Sequence, residues 1–354
     1  VARLLGARMT DFVESFATQH LLPPYHSAGA TVNAFVFKLA PHVIQSYCDR
    51  FFNLGATSQR PFHYEALPWA RIGILIVTQY PNISSLNEEN PEHSSLHARQ
   101  WDDLQQTELY ATIPVARYRV ASHNILVDRT IEWVQPFLIL DNSTSAFSGR
   151  EILGLESLYG EIKCAPATDA SGFSAKTTLL SWKVFSPTSL QQMLPFVEIQ
   201  TEPPLAPDAG SAAPVADDES AVWIEELRAL IPNLDGLVGG MFPAAMPLAI
   251  LKQFRDAADP AKAIYQALVT ARSRYSSLRN LQFYDPDKCL IQFTEGAMVD
   301  EIISTFLDLR TWAPPLVQAV PETPQPKVLP VKMAFSFTAD IDLDEIRTLH
   351  TFST

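Results

Sequence analysis

Basic charge, glycine and cysteine are all scarce in this chain, and each scarcity excludes a class of function. Against 39 acidic side chains there are 26 basic ones, a net charge of −13. A nucleic acid is held by neutralising its phosphates, so the composition gives no global attraction for DNA, RNA or an anionic membrane surface. Only 13 glycines stand against 27 prolines, and neither a G-x-G-x-x-G nor a Walker-type phosphate loop is present, Gly239-Gly240 having the wrong spacing. The three cysteines, Cys48, Cys164 and Cys289, are odd in number and far apart, so they build neither a disulfide framework nor a zinc knuckle. A reducing, cytoplasmic setting is the expectation. No HExxH or clustered Cys/His spacing occurs and no metal or other cofactor is expected. The absence of a G-x-S-x-G elbow weakens a hydrolase reading.

Long apolar runs are missing too. The longest, Ile72-Gly-Ile-Leu-Ile-Val77, has the length of a strand and falls far short of the roughly 20 residues that span a bilayer. The first 22 residues carry Asp11 and Glu14 and lack an uninterrupted apolar core, so they do not read as a signal peptide. No membrane partner is expected.

What is present is a chain with 47% hydrophobic and 18% charged residues, enough to bury a large core. Strand-grade stretches, β-branched or aromatic and bounded by turn formers, recur at Asn33–Leu39, Arg71–Gln79, Leu109–Val120, Trp133–Leu140, Lys176–Phe185, Pro247–Phe254, Ala263–Thr270 and Val331–Thr338. Helical signals are fewer. A first helix is expected over about Thr10–His20, stopped by Pro23-Pro24. A second opens at Pro41, with Val43, Ile44, Tyr47, Phe51 and Phe52 on one face, and others fall at Val222–Ile231 and Val299–Leu309. Glu202–Glu219 is poor in large apolar residues and reads as a mobile insert, and Ala313–Pro330, with six prolines, reads as an extended segment.

The stretch Ile139-Leu-Asp-Asn-Ser-Thr-Ser-Ala-Phe-Ser-Gly-Arg-Glu-Ile-Leu-Gly-Leu-Glu-Ser-Leu-Tyr-Gly-Glu-Ile162 resembles the central motif of the acetoacetate decarboxylase-like β-barrel family, an aspartate-led turn followed by Gly-Arg-Glu, two residues, Gly, an aromatic and Pro-Lys. Leu248–Pro260 and Tyr265–Val269 resemble the longer branch of that family. The resemblance implies a mainly β fold, a closed barrel or cone around a central pocket with peripheral helices, over residues 25–340. It leaves 1–24 as a helical arm, 202–219 as an insert and 341–354 as a tail. It also implies a homo-oligomer and a small organic substrate.

The family's chemistry needs a lysine amine that condenses with a keto acid, its pKa depressed by burial or a neighbouring cation. Here the family's Pro-Lys is Glu156-Ser157, followed by Leu158. Serine forms no iminium. Three readings follow: a non-covalent cyclase or lyase acting on a polyketide- or terpenoid-like molecule of secondary metabolism, a ligand-binding relative without turnover, or a decarboxylase whose amine has moved to Lys252. The catalytic candidates are therefore Glu156, Ser157 and Lys252, although Lys252 equally fits a solvated or bridging position paired with Glu151 or Asp256. Arg150 and Glu151 would anchor substrate at the pocket mouth or form an ion pair. His63, Tyr265 and His26 complete the set of candidate pocket groups.

Overall fold

The computed structural model describes residues 21–55, 60–85, 104–168, 170–182, 188, 190–205, 244–294 and 327–352. The helices expected at Thr10–His20, Val222–Ile231 and Val299–Leu309 lie outside the described residues, as does most of the 202–219 insert.

Among the described residues, fourteen strands and two short α-helices follow one another. In order they are β1 (Tyr25–Lys38), α1 (Pro41–Phe51), β2 (Phe62–Ala66), β3 (Ile72–Tyr80), β4 (Ser84–Ser85), β5 (Gln106–Val120), β6 (Leu126–Leu140) and α2 (Ser143–Ser148). Then come β7 (Ser157–Ala165), β8 (Ser174–Ser181), β9 (Gln192–Gln200), β10 (Ala244–Arg255), β11 (Ala263–Tyr284), β12 (Leu290–Phe293), β13 (Lys327–Val328) and β14 (Val331–Thr351).

The sheet closes on itself. Pairing runs β6-β10-β11-β14-β1-β3-β5, and β5 pairs back on to β6. This is the mainly β closed barrel expected from the sequence. A second, antiparallel sheet, β7-β8-β9-β12-β13, springs from β6. One strand edge serves both: β6 meets β10 at Trp133 and then β7 from Leu138 to Leu140. Between those partners stand Gln135 and Pro136, a bulge opposite Thr112 of β5. Proline has no N–H to give a ladder, so its place is where pairing changes hands.

Side chains alternate strictly enough to build two cores. Val32, Ala34 and Val36 of β1, Ile74 and Ile76 of β3 and Phe337 of β14 belong to the core inside the ring. Their neighbours Phe35, Phe37, Leu75 and Val77 point outward, beneath α1 and the second sheet, where they meet Ile44, Tyr47, Phe173 and Phe196. Both faces of β3 are buried, which is why Ile72–Val77 reads as a continuous apolar run.

Two expectations need correction. Residues 341–351 are no tail: β14 continues to Thr351 and pairs with β11. Its alternating acids lie against arginines of β11, with Arg272–Glu345 at 2.8 Å, Arg274–Asp344 at 3.3 Å and Arg279–Asp340 at 3.6 Å. Opposite charges across a strand pair support the ladder that apolar residues support elsewhere. For the same reason β11 does not stop at Thr270 but runs through its Arg- and Ser-rich half to Tyr284. The strands β7, β9 and β12 carried no signal strong enough to be read in advance.

Candidate functional site

Inside the ring, toward the end bordered by Leu21, Tyr25, Ile83 and α2, lies a cavity of about 120 Å³. Its wall is largely apolar, with Leu138, Leu140, Leu153, Met246, Leu248 and Ile341 among its residues. Tyr25 and Ser148 tie the closing segment down: the Tyr25 hydroxyl donates to the Leu21 carbonyl at 2.7 Å, and the Leu21 N–H donates to the Ser148 hydroxyl at 3.1 Å.

Into this space the first turn of β5 brings polar groups by strand alternation, since Gln106, Glu108 and Tyr110 share the inward face. The Glu108 carboxylate accepts from Gln106 Nε2 at 2.6 Å and from the Tyr80 hydroxyl at 3.2 Å. Burial pushes its pKa up to about 7, against those two hydrogen bonds, which pull it down; nearby Asp141 pushes it further up. Burial also holds the hydroxyls of Tyr80 and Tyr110 well above the usual tyrosine range and raises that of Tyr275, so all three keep their protons at neutral pH. His26 lines the same cavity, its Nδ1 2.7 Å from Asp342. Two buried polar atoms on the wall, Ser27 Oγ and Gln106 Oε1, have no hydrogen-bond partner among the described residues.

The Gly-Arg-Glu stretch forms a hinge beside this cavity. Asp141 accepts from the Thr107 N–H at 2.7 Å, the Asn142 side chain caps α2 by accepting from the Ser145 N–H at 3.2 Å, and one π-helical turn follows over Gly149–Leu153. Gly154 then reverses the chain at φ +86°, and a Cβ there would come within 2.4 Å of the Lys252 backbone. No other residue fits both requirements.

Of the candidates drawn from the sequence, the structure groups some and separates others. Arg150, Glu156 and Ser157 border an outer groove of about 690 Å³ together with Arg50, Arg255 and Lys262. Ser157 is buried and its hydroxyl donates to the Leu155 carbonyl at 3.2 Å, while Glu156 is exposed. Neither lines the interior cavity, although Leu155 borders both spaces. Lys252 is half-buried on β10; its ammonium donates to the Ile152 carbonyl at 3.0 Å and lies 5.4 Å from the Phe254 ring centre. Burial lowers its pKa and the Glu151 carboxylate opposes that. Its hydrogen bond thus goes to a backbone carbonyl, and Glu151 acts on it electrostatically. Tyr265 packs on Phe254 with ring centres 6.0 Å apart, and His63 on β2 lies 3.2 Å from Glu65; neither borders the cavity or the groove. Among the described residues no lysine lines the interior cavity.

Gln106 and Glu108 were missed from sequence because the strand was read from Leu109, three residues after its start, and Tyr80 and Tyr275 because their strands were read only to Gln79 and Thr270. The signal was there: Gln106-x-Glu108-x-Tyr110 has the period of a strand face, but polar alternation ordinarily marks the face turned to water. Among the described residues no set of three His, Cys, Asp or Glu is placed to hold a metal, and no helix is long and apolar enough to cross a membrane.

No family model and no curated protein sequence matches the chain. Solved structures are similar to it. An acetoacetate decarboxylase is 12% identical, with 94% of this chain and 92% of that chain covered and a TM-score of 0.49. Acetoacetate decarboxylase from Legionella pneumophila is 10% identical, with 98% and 94% covered and a TM-score of 0.49. An acetoacetate decarboxylase-like enzyme from Sphingomonas wittichii RW1 is 12% identical, with 94% and 96% covered and a TM-score of 0.47.

Proposed function

We propose that this chain is a small-molecule enzyme that works inside the barrel by non-covalent acid–base chemistry, as a cyclase or lyase on a carbonyl compound, with Glu108 as the proton carrier. The observation that carries the reading is a carboxyl group whose pKa stands at about 7 on the wall of an apolar cavity. A group so poised is present in both protonation states near neutrality, the condition under which one residue can take a proton and return it.

In the cyclase form of the step, Glu108 removes a proton from the carbon next to a carbonyl, and the electron pair moves on to the carbonyl oxygen. The Tyr275 hydroxyl, on the same largely apolar wall, donates to that oxygen. The enolate carbon then bonds to a second carbonyl of the same molecule, whose oxygen takes the proton back from Glu108. The reverse sequence breaks the carbon–carbon bond and is the lyase form. The apolar wall supplies the remaining term by holding a flexible molecule in its reactive fold.

The test is deuterium exchange next to the carbonyl of small cyclic ketones and 1,3-diketones, followed by NMR in D₂O. The native protein should accelerate exchange with an inflection near pH 7, and Glu108→Gln should reduce the acceleration by about 10²–10⁴-fold. Exchange that survives in Glu108→Gln overturns the assignment. Saturable binding without exchange or product would make the protein a binding module. Borohydride trapping of a keto acid on Lys252 would restore the imine reading, although the hydrogen bond from Lys252 to Ile152 directs that amine to the hinge.

A further inference from the structure

Glu108 is held by donors of two different kinds, and the difference decides how it carries a proton. Strand pairing puts both within reach. Tyr80 of β3 stands opposite Gln106 of β5 and so is the diagonal neighbour of Glu108, while Gln106 lies two residues before Glu108 on the same face. Gln106 Nε2 donates to Oε1 of the carboxyl at 2.6 Å, and the Tyr80 hydroxyl donates to Oε2 at 3.2 Å, so each oxygen has a donor of its own.

An amide NH₂ can only donate. Oε1 therefore stays an acceptor whether the carboxyl is charged or neutral, which leaves Oε2 to carry the proton. A phenol hydroxyl both donates and accepts: it donates to the carboxylate and, by turning about its C–O bond, accepts from the carboxyl. Burial first, then the charge of Glu108 and the neighbouring Tyr110 and Tyr275, hold the Tyr80 hydroxyl well above the usual tyrosine range, so it keeps its own proton throughout. The other groups around the carboxyl are Asp141 after β6, Tyr110 on β5, Tyr275 on β11 and His26 on β1, whose Nδ1 lies 2.7 Å from Asp342 of β14. Among the described residues, the side chains that hydrogen-bond the Glu108 carboxyl are Tyr80 and Gln106.

We propose that Tyr80 is the positioning residue of Glu108: with Gln106 keeping Oε1 a permanent acceptor, the Tyr80 hydroxyl attends the proton on Oε2 and changes from donor to acceptor as that proton arrives. This rests on the reading of Glu108 as the proton carrier, and it is tested on the carboxyl itself, without substrate.

The experiment follows the Glu108 carboxyl against pH by ¹³C NMR in protein labelled at glutamate Cδ, the signal being assigned by its loss in Glu108→Gln. The native midpoint should lie at about 7. Tyr80→Phe, which removes one hydrogen bond to the charged form, should raise it to about 8. With 3-fluorotyrosine at position 80, a stronger donor of nearly the same size, it should fall. Shifts of opposite sign follow from donor strength and not from packing. In native protein labelled at tyrosine Cζ, the Tyr80 signal, assigned by its displacement in the fluorotyrosine protein, should move with the Glu108 midpoint and stay still in Glu108→Gln. Shifts of the same sign, or none, overturn the proposal, and so does a Tyr80 signal that is flat through pH 7; the native and fluorotyrosine readouts decide it even where Tyr80→Phe fails to fold. If the proposal fails in this way while deuterium exchange persists and is lost in Glu108→Gln, Glu108 remains the proton carrier. Opposite shifts without any deuterium exchange uphold the positioning and sink the catalytic reading alone.

Discussion

The buried Glu108 carboxyl makes stability depend on pH. Its pKa is raised from 4.5 in the unfolded reference to about 7 in the fold, so the folded chain holds the proton more tightly than the unfolded one. The stability linked to this group is complete below about pH 4.5 and is lost as pH rises through 7, amounting to at most about 3 kcal/mol. Glu108→Gln, which cannot ionise, should therefore be more stable than the native chain at pH 8 and gain little at pH 4.5, a difference read by urea denaturation at the two values. An equal effect at both would show that the carboxyl is not desolvated. Lys252 belongs to the same scale: its hydrogen bond to Ile152 is a positioning contact, and Lys252→Met should leave deuterium exchange within a few-fold of native while lowering stability by about 1 kcal/mol.

At the scale of the element, the hinge between β6 and β7 carries the sharpest requirement. Gly154 combines φ +86° with an approach of 2.4 Å between its virtual Cβ and the Lys252 backbone, so Gly154→Ala should cost about 1–3 kcal/mol by thermal denaturation, where Asn142→Ala should cost about 1 kcal/mol as a lost helix cap. The hinge matters because Leu153 and Leu155 line the cavity while Arg150, Glu156 and Ser157 turn to the outer groove. The turn was legible in the residues; which side of it faces the cavity was not. Alternation decides that question, and a π-helical turn has no strand alternation to read.

For the whole molecule, closure of the ring is the governing fact. Seven strands share one interior, so no strand is dispensable, and β14 holds two of the joints by pairing with both β1 and β11. A chain ended after Asp340 loses the half of β14 that pairs with Tyr25–Ser27 and with Ala267–Tyr275. It should lose cooperative thermal unfolding rather than shift it by a few degrees, as circular dichroism would show. Retention of a sharp transition would mean that the barrel closes without that segment.

The sequence by itself determined the local quantities: apolar alternation placed most of the barrel strands, and Pro41 opened α1. These are set by neighbours along the chain, so they can be read along it. The tertiary structure alone decided which residues meet. Gln106 and Glu108 look like a solvated face until β5 is rolled into a closed ring and that face becomes the interior. The acids of 341–345 look like a tail until the arginines of β11 are set beside them. In both cases the energy of a charged group depends on what surrounds it in space, and ring closure across the whole chain supplies those surroundings.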